Sequence, residues 1–422
     1  MTITHDTAER REIAVLVGLE DERDLLPVEA SLDELAELAR TAGAEVRGRL
    51  TQKRERPDPR TFLGSGKLEE LKDLISLHEA DTVIFDSELS PAQLRNLGKA
   101  LEQKVLDRTL LILDIFAMRA SSAEGKVQVE LAQLKYRLSH LAGIGKALSR
   151  LGGGIGTRGP GETKLENDRR VIRERIAHLN RELKEVQDRR GVLRERRERN
   201  GMPVASMVGY TNAGKSTLLN MLTNAGVLAE DKLFATLDTT TRKLTLPGGS
   251  ELLFTDTVGF IQKLPHTLVQ AFRATLEELQ HADMLVHVVD AANPMRGEQM
   301  SVVYDTLRDL KCFDKPVVVV FNKMDCEAER PLPADRNATK TVAMSAKTGE
   351  GGDALLQAME DVVKSFKAAM TVLVPYTEGR LLGLIHKSCD VLEEEHMEAG
   401  VRFVLYANEE MENRLAVYKS DL

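Results

Sequence analysis

Apolar residues in the first 120 positions form short runs that alternate with longer stretches of helical spacing. The short runs, which predict strands, are Ile13–Val17, Val83–Phe85 and Val105–Leu106. The stretches with helical spacing are Leu32–Ala42, Lys67–Leu77 and Pro91–Leu101. Because strands that alternate with helices form mostly parallel sheets, residues 1–120 are predicted to fold as an N-terminal α/β domain.

Between residues 121 and 200 the apolar residues recur instead at steps of four and three, with a step of seven where one position is skipped, as at Gly145 and Arg190. The first series is Val127, Leu131, Leu134, Leu138, Leu141 and Leu148, and the second is Leu165, Ile172, Ile176, Leu179, Leu183, Val186 and Leu193. Each series places one apolar stripe along a helix, and the glycine-rich sequence at 151–162 between them cannot be helical. We predict an antiparallel, coiled-coil-like helical hairpin with a glycine-rich tip and a second helix about 35 residues long. The alternative is two helices that bury their stripes on neighbouring domains.

The second of these helices is basic, although the chain as a whole is acidic. Residues 164–200 contain 13 Lys and Arg but 8 Asp and Glu, whereas the net charge of the chain is −8. The overall charge argues against a protein that simply coats nucleic acid. The basic helix is either a solvated face with ion pairs at i,i+4 spacing or an arm that contacts RNA phosphate.

Bulk properties narrow the class of protein further. The length of 422 residues indicates roughly two to four domains. Cys312, Cys326 and Cys389 form no CxxC pair, which fits a reducing compartment and neither a disulfide framework nor a zinc site. No apolar stretch approaches the roughly 20 residues that span a bilayer, and no signal-peptide pattern is present. We therefore expect a cytoplasmic protein without membrane insertion, and nothing in the sequence demands an oligomer rather than a monomer.

Chemistry is concentrated in residues 201–366, where the first motif is GYTNAGKS at Gly209–Ser216, between an apolar strand and a helix. It matches G-x-x-x-x-G-K-[ST], in which the loop backbone turns its N–H groups towards phosphates at the helix N-terminus. Lys215 is expected to reach the β- and γ-phosphates, and the Ser216 hydroxyl to ligate Mg²⁺. The residues expected to line the nucleotide are Gly209, Tyr210, Thr211, Asn212, Ala213, Gly214, Lys215, Ser216 and Thr217. This motif indicates a phosphate-binding loop but does not show which base the bound nucleotide carries.

Two further motifs identify the base as guanine. Asn322, Lys323 and Asp325 follow the apolar run PVVVV, and Ser345-Ala346-Lys347 comes about 20 residues later. The Asp325 carboxylate can accept from N1–H and the 2-amino group of guanine, a donor pair that adenine lacks. Lys323 can lie over the base, and an N–H of the second motif can meet guanine O6. Together with the phosphate loop, these motifs predict a GTP/GDP site.

Between these motifs lie the segments expected to sense the γ-phosphate. Asp256 and Gly259 form a D-x-x-G motif after an apolar strand, with Asp256 expected to hold Mg²⁺ through water. A threonine of the upstream LFATLDTTTRK should close over Mg²⁺ and the γ-phosphate; Thr236 is favoured, with Thr239, Thr240 and Thr241 as alternatives. The residues predicted to act in hydrolysis are Lys215, Thr236 and Gly259. Phe260 follows Gly259 where a glutamine could orient water, so we expect slow intrinsic hydrolysis that depends on a partner.

Outside residues 201–366, the C-terminal segment carries a further fold pattern, and two glycine-rich segments match motifs only in part. Residues 371–422 contain TVLVP, a helical stretch from Gly379, VRFVLY and a final helical segment, which predicts a small C-terminal α/β domain. Gly154-x-Gly156-x-x-Gly159 matches a dinucleotide fingerprint, but a helix rather than a strand precedes it. The half phosphate loop at Leu63–Lys67 has leucine where the Mg²⁺ ligand should stand, so both matches are rejected.

These motifs resemble those of the HflX family of ribosome-associated GTPases, within the Obg–HflX superfamily, over nearly the whole chain. The resemblance rests on FLGSGK at 62–67, LSPAQLRNL at 89–97, DRTLLILDIFAMRA at 107–120, GKVQVELAQL at 125–134 and GGIGTRGPGETKLENDRR at 153–170, with GYTNAGKSTLLN, LFATLD and DTVGFIQKLPH in the nucleotide region. One departure is Thr239, where the family commonly has proline; this leaves the choice among the threonines open.

The resemblance implies binding to the large ribosomal subunit and its rRNA through the N-terminal domain and the hairpin tip near Arg158. It also implies a role in splitting or rescuing stalled ribosomes under stress. In several related GTPases an asparagine at the position of Asn212 helps hold K⁺; the alternative is that Asn212 only hydrogen-bonds within the loop. Competing functions are a GTPase coupled to RNA modification and a protein-regulatory switch, although neither a second catalytic motif nor a lipidated segment is visible.

Overall fold

The structure is a computed structural model that describes residues 11–21, 25–148, 160–199, 202–223, 233–234, 240–263, 278–326, 332–366, 370–407 and 409–420. Along these residues, three sheets and a pair of long helices follow one another in the chain. This order is the predicted mixed α/β architecture, with a helical hairpin in front of the nucleotide-binding region and a small α/β domain at the end.

The N-terminal domain is a parallel α/β sandwich. Its elements are β1 (Ile13–Glu20), α1 (Val28–Thr41), β2 (Glu45–Lys53), α2 (Ser65–His78), β3 (Thr82–Phe85), α3 (Pro91–Leu101), β4 (Lys104–Asp107) and α4 (Arg108–Arg119). The strands are parallel in the order β2-β1-β3-β4. Along β1, Ala14 and Leu16 join the core beneath α1 and α4, while Val15 and Val17 join the core beneath α2 and α3. Helices therefore cover both faces, as parallel sheets require.

Local sequence explains where these elements begin. Helix α3 begins at Pro91 because the Ser90 hydroxyl accepts from Gln93 N–H at 3.3 Å, while the Gln93 side chain accepts from Ser90 N–H at 2.9 Å.

Strand β2 and helix α4 were not among the predicted elements. Strand β2 escapes detection because it is an edge strand in which Leu50 is the buried apolar residue, so its apolar alternation is weak.

Helices α5 (Ala123–Leu148) and α6 (Pro160–Arg199) form the predicted antiparallel hairpin. Arg175 of α6 donates to both carboxylate oxygens of Glu130, and Arg169 donates to the carbonyl of Leu141. Residue numbers therefore increase along α6 in the direction in which they decrease along α5, so the helices are antiparallel. The apolar stripe appears as a cluster around Leu131, Leu179 and Leu183. The prediction for the tip was wrong at 160–162, which are helical because Pro160 suits the first position of a helix. The rest of the tip, including Arg158, lies outside the described residues.

The G domain contains a sheet in the order β10-β9-β8-β5-β7-β6, parallel except for the β6–β7 pair. Its elements are β5 (Val204–Gly209), α7 (Lys215–Thr223), β6 (Thr240–Thr245), β7 (Glu251–Asp256), β8 (Met284–Asp290), α8 (Arg296–Asp309), β9 (Val317–Asn322), β10 (Lys340–Ala343) and α9 (Gly352–Phe366). The motif-bearing loops follow β5, β7, β9 and β10. Parallel strands place their carboxyl ends at one edge of the sheet, so these loops meet there.

The C-terminal domain is an antiparallel sheet in the order β11-β13-β12 with two helices. Its elements are β11 (Met370–Val374), α10 (Gly379–Ser388), β12 (Asp390–Met397), β13 (Gly400–Tyr406) and α11 (Glu409–Leu415). Strand β12 was not predicted, because Glu393, Glu394 and Glu395 are poor strand formers in isolation. Among the described helices, none combines the length and apolarity that crossing a membrane requires.

One apolar core continues from the N-terminal domain into the G domain. It joins Leu35 and Phe116 of the former to Tyr210 and Phe260 of the latter. The ring of Phe116 packs edge-on against Phe234, with centroids 4.7 Å apart. Helices α1 and α4 thus contact the segments beside the nucleotide motifs.

Candidate nucleotide-binding site

Two glycines shape the loop between β5 and α7. Gly209 has a φ of 153°, and a Cβ there would lie 2.3 Å from the Val288 carbonyl oxygen. Gly214 has a φ of 94°, and a Cβ there would lie 2.2 Å from Asn322 Nδ2. Side chains are excluded at both positions by backbone conformation and by contact. The loop can therefore fold tightly and expose backbone N–H groups at the start of α7.

Lys215, the first residue of α7, lies over this loop. Its Nζ donates to the carbonyl oxygens of Gly209 at 3.1 Å and Tyr210 at 2.8 Å. Burial lowers the pKa of Lys215 to about 8, while the negative charge of Asp256 acts in the opposite direction. A phosphate in the loop would favour the charged ammonium. Thr211 Oγ1 is also buried here and has no hydrogen-bond partner among the described residues.

Ser216 and Asp256 come together beside the loop, as predicted for a Mg²⁺ site. Ser216 Oγ donates to Asp256 Oδ2 at 3.0 Å. A hydroxyl and a carboxylate are hard oxygen donors of the kind that Mg²⁺ prefers, so the residues present fit this ion. Thr217 follows in the first turn of α7. A Cβ on Gly259 would lie 2.9 Å from Thr211 Cγ2 and 3.0 Å from Lys215 Nζ, so the D-x-x-G motif contacts the phosphate loop.

The predicted base-binding residues meet on the other side of the loop. Asn322 is buried and donates to the Ala213 carbonyl at 2.8 Å, while Ala346 N–H donates to Asn322 Oδ1 at 2.8 Å. Asn322 therefore joins the phosphate loop to the Ser345-Ala346-Lys347 segment. Ser345 Oγ donates to Asp325 Oδ1 at 2.7 Å, and this bond lowers the pKa of Asp325, which favours the ionised carboxylate.

Lys323 and Lys347 complete this side of the site. Lys323 has a φ of 63°, and its Nζ pairs with Asp290 Oδ2 at 2.8 Å. Lys347 is exposed. Sequence reasoning missed Asp290, although it is the last residue of the buried strand β8, whose sequence is MLVHVVD. That position is the signal that could have found it, because the carboxyl end of β8 adjoins the end of β9.

Four of the eight described non-glycine residues with positive φ lie in or beside these motifs. Asn212, Phe234, Lys263 and Lys323 all have φ between 51° and 63°, a region that non-glycine residues seldom adopt. Such strain persists where surrounding contacts impose it, and it is frequent at ligand-binding sites.

Of the threonines predicted to close over Mg²⁺, Thr236 and Thr239 lie outside the described residues. Thr240 and Thr241 begin β6, where Thr241 Oγ1 lies 3.0 Å from Thr255 Oγ1. These positions do not decide which of the four threonines closes over Mg²⁺, so the choice of Thr236 stays a prediction.

Phe260, the residue after the D-x-x-G motif, is buried, and its backbone pairs with the phosphate loop. Thr211 N–H donates to Phe260 O at 2.8 Å, and Phe260 N–H donates to Gly209 O at 3.1 Å. The nearest amide side chain downstream, that of Gln262, donates to Ser31 of the N-terminal domain at 2.7 Å. Neither side chain is therefore placed to orient water at the γ-phosphate.

The glycine-shaped loop, its buried lysine, the Ser–Asp pair and the Asn–Lys–Asp segment together define a P-loop nucleotide-binding domain of the GTPase class. Comparison with known families agrees along the chain. Residues 29–117 match the family described as GTP-binding GTPase N-terminal, residues 119–197 match GTP-binding GTPase Middle Region, and residues 204–323 match 50S ribosome-binding GTPase.

Individual relatives identify the family. GTPase HflX of Lacrimispora saccharolytica is 53% identical over 408 residues, which cover 97% of this chain and 96% of that protein. GTPase HflX of Escherichia coli K12 is 43% identical over 370 residues, covering 87% of each chain. The chain therefore belongs to the GTPase HflX family, and it is a GTPase. A GTP-binding protein from Sulfolobus solfataricus, solved in complex with GDP, is 23% identical with a TM-score of 0.43 and covers 84% of this chain and 99% of its own.

Proposed function

We propose that the protein is a GTP-driven molecular switch that binds the large ribosomal subunit and acts in splitting or rescuing stalled ribosomes under stress. The observation that carries the proposal is the match of residues 204–323 to the family described as 50S ribosome-binding GTPase. Membership of the GTPase HflX family over nearly the whole chain supports the same partner. We place the protein in the cytoplasm, where this partner is found.

Within the G domain we propose the following division of roles. Lys215, Thr236 and Gly259 contact the γ-phosphate region, and Asp325 recognises guanine with support from Asn322, Lys323, Ser345, Ala346 and Lys347. Ser216, Thr236 and Asp256 hold Mg²⁺, which neutralises developing charge on the phosphates when bound. The Ser216–Asp256 hydrogen bond and the lowered pKa of Asp325 support these roles.

The position of Phe260 indicates what the proposed partner contributes to GTP hydrolysis. Its side chain is buried and cannot orient water, so the group that does so must come from elsewhere. We propose that the ribosomal subunit supplies or organises it. Asn212 is the proposed K⁺ ligand, and a bound K⁺ would add positive charge beside the phosphates; hydrogen bonding within the loop alone is the competing role.

The hairpin is the proposed rRNA-contacting arm. Helix α6 spans 40 residues, or about 60 Å at 1.5 Å per residue. Arginines line the described part of α6, and Arg173 is exposed along it. Positive charge on an extended arm favours contact with phosphate backbones. We propose that Arg158, at the tip, makes such a contact.

The test is GTP hydrolysis with and without purified large ribosomal subunits, in potassium and in sodium buffer. Stimulation by subunits is expected, and stimulation restricted to potassium would support Asn212 as a K⁺ ligand. Arg158→Ala should weaken co-sedimentation with subunits while intrinsic hydrolysis stays unchanged. Arg380→Ala, an exposed arginine of α10, is the matched control. No stimulation and no co-sedimentation of the GTP-bound protein would reject the ribosomal partner in favour of another RNA or a protein.

A further inference from the structure

An acidic residue that belongs to none of the nucleotide motifs stands beside the base-binding segment. Asp290 is the last residue of β8, and it pairs across the sheet with Asn322, the last residue of β9. Ala291 N–H then donates to Asn322 O at 2.9 Å, so the pairing of the two strands ends directly before Lys323. The sheet therefore fixes Asp290 at the point where the Asn-Lys-x-Asp segment begins to turn away.

Both carboxylate oxygens of Asp290 have partners. Oδ2 lies 2.8 Å from Lys323 Nζ, and Oδ1 accepts from Ala292 N–H at 3.0 Å. The side chains of Asp290 and Lys323 are 17% and 29% exposed, so the ion pair is largely shielded from water. A partly buried pair is screened by salt less than one on the open surface. The bond from Ala292 holds the carboxylate in the orientation that meets the lysine.

Lys323 is held at its backbone as well as at its ammonium group. Its φ of 63° is one that a residue with a Cβ seldom adopts. Its carbonyl accepts from Cys326 N–H at 3.0 Å, and the N–H of the next residue, Met324, donates to Met344 O at 3.2 Å. The methylene groups between backbone and ammonium are thus fixed at both ends, and they provide an apolar surface within the base-binding segment.

Asp290 and Asp325 differ in what they can offer a nucleotide. Asp325 is exposed, whereas Asp290 is mostly buried and has a partner on each oxygen. An exposed carboxylate can accept from the donors on the edge of a base. A carboxylate that is already engaged on both oxygens affects the nucleotide instead through the side chain that it holds, which here is Lys323.

Holding Lys323 in advance favours binding for a physical reason. A free lysine side chain has many rotamers, and fixing it against a ligand costs conformational entropy that weakens affinity. The ion pair with Asp290 already restricts these rotamers before a nucleotide binds. The site is therefore preorganised on the side that Lys323 occupies.

We propose that Asp290 is a positioning residue for guanine nucleotides, which holds Lys323 in the orientation that places it across the face of the base. The proposal rests on the role of Lys323 proposed above and does not depend on the ribosomal partner. A side chain on the face of a base contacts the ring and not the groups at its edge. Asp290 should therefore contribute to affinity but not to the choice between guanine and hypoxanthine, which differ in the 2-amino group assigned to Asp325.

The experiment is a double-mutant cycle on the full chain, with equilibrium titration of fluorescent derivatives of GDP and inosine diphosphate. Asp290→Asn removes the charge but keeps an acceptor for Ala292 N–H, and Lys323→Met removes the ammonium but keeps an unbranched chain. Each change should raise the Kd for GDP about tenfold, and the double variant should stay within about twofold of the weaker single variant, because each change removes the same interaction. Independent effects would instead multiply to about 100-fold.

Base selectivity and three further variants separate positioning from a general loss of stability. In Asp290→Asn the Kd values for GDP and inosine diphosphate should rise by the same factor, whereas Asp325→Asn should reduce the preference for GDP. Asp361→Asn breaks a 3.2 Å ion pair with Lys340 elsewhere in the G domain and should leave both Kd values unchanged. Asp290→Glu retains a charge that a flexible lysine can reach, so its Kd for GDP should lie nearer to wild type than that of Asp290→Asn. If Asp290 had only a structural role, Kd would follow the Tm of the nucleotide-free variants.

Three outcomes would overturn the proposal. The first is a Kd for GDP in Asp290→Asn equal to that of the wild type. The second is a double variant whose loss is the product of the two single losses, because Asp290 would then act independently of Lys323. The third is an altered preference between GDP and inosine diphosphate in Asp290→Asn, which would mean that Asp290 acts at the edge of the base. Wild-type affinity in Lys323→Met would reject the proposed role of Lys323 as well, whereas wild-type affinity in Asp290→Asn alone would leave that role standing.

Discussion

Gly214→Ala should weaken nucleotide binding through the addition of a single methyl group. The new Cβ would lie 2.2 Å from Asn322 Nδ2, and the backbone φ of 94° is one that alanine rarely adopts. Asn322 would have to move away from the Ala213 carbonyl and the Ala346 N–H. The change therefore disturbs the phosphate loop and the base-binding segments together.

The magnitude follows from these contacts. The backbone conformation costs about 1–2 kcal/mol for a residue with a Cβ. Loss of the two buried Asn322 hydrogen bonds costs about 1 kcal/mol each. If binding must restore the arrangement, the total of about 3–4 kcal/mol corresponds to a loss of GDP and GTP affinity of about 100- to 1,000-fold.

The assay is equilibrium titration with a fluorescent guanine nucleotide, together with thermal unfolding. Gly249→Ala is the matched control, because Gly249 has a φ of 84° but a Cβ there meets nothing within 4 Å. It should lower stability by about 1–2 kcal/mol through its backbone alone and leave the nucleotide Kd within twofold of wild type. Equal Kd values for the two variants would refute the contact argument.

The remaining predictions concern three other residues. Lys215→Ala should abolish GTP binding or hydrolysis, measured by the same titration and by phosphate release. Asp325→Asn should weaken GTP and favour a xanthine nucleotide, because the amide can donate to the xanthine 2-carbonyl; unchanged GTP-over-ATP selectivity in a competition assay would contradict the role of Asp325. Burial lowers the pKa of His287 from 6.5 to about 4, so the native state binds fewer protons than the unfolded state between these values. Neutral His287 therefore contributes to the free energy of unfolding above pH 6.5. This contribution is lost as pH falls towards 4, by about 2 kcal/mol between pH 7 and pH 5. Denaturant unfolding, monitored by backbone hydrogen exchange in β8, should show this loss in the wild type and not in His287→Phe.

Much of the fold follows from local pattern, and the departures have physical causes. The Ser-Pro-x-Gln sequence at Ser90 predicts the first residue of α3, because its capping contacts lie within one turn. Strand β12 shows the opposite case, since its acidic residues are tolerated only because β13 supplies a paired partner. The start of α6 at Pro160 was missed because glycine content outweighed the preference of proline for a first helical turn.

The nucleotide motifs could be recognised from the sequence because each places its chemistry within a few residues of one strand end. Spacing alone was sufficient for Gly209–Ser216, for Asp256 with Gly259, and for Asn322 with Asp325. The polar contacts between the N-terminal domain and the G domain could not be found in this way. Glu34, Asp86, Arg108, Tyr210 and Lys263 lie far apart along the chain, and no local pattern pairs them. Tertiary packing decided their roles, because a buried charge must find its counter-charge wherever the fold places one.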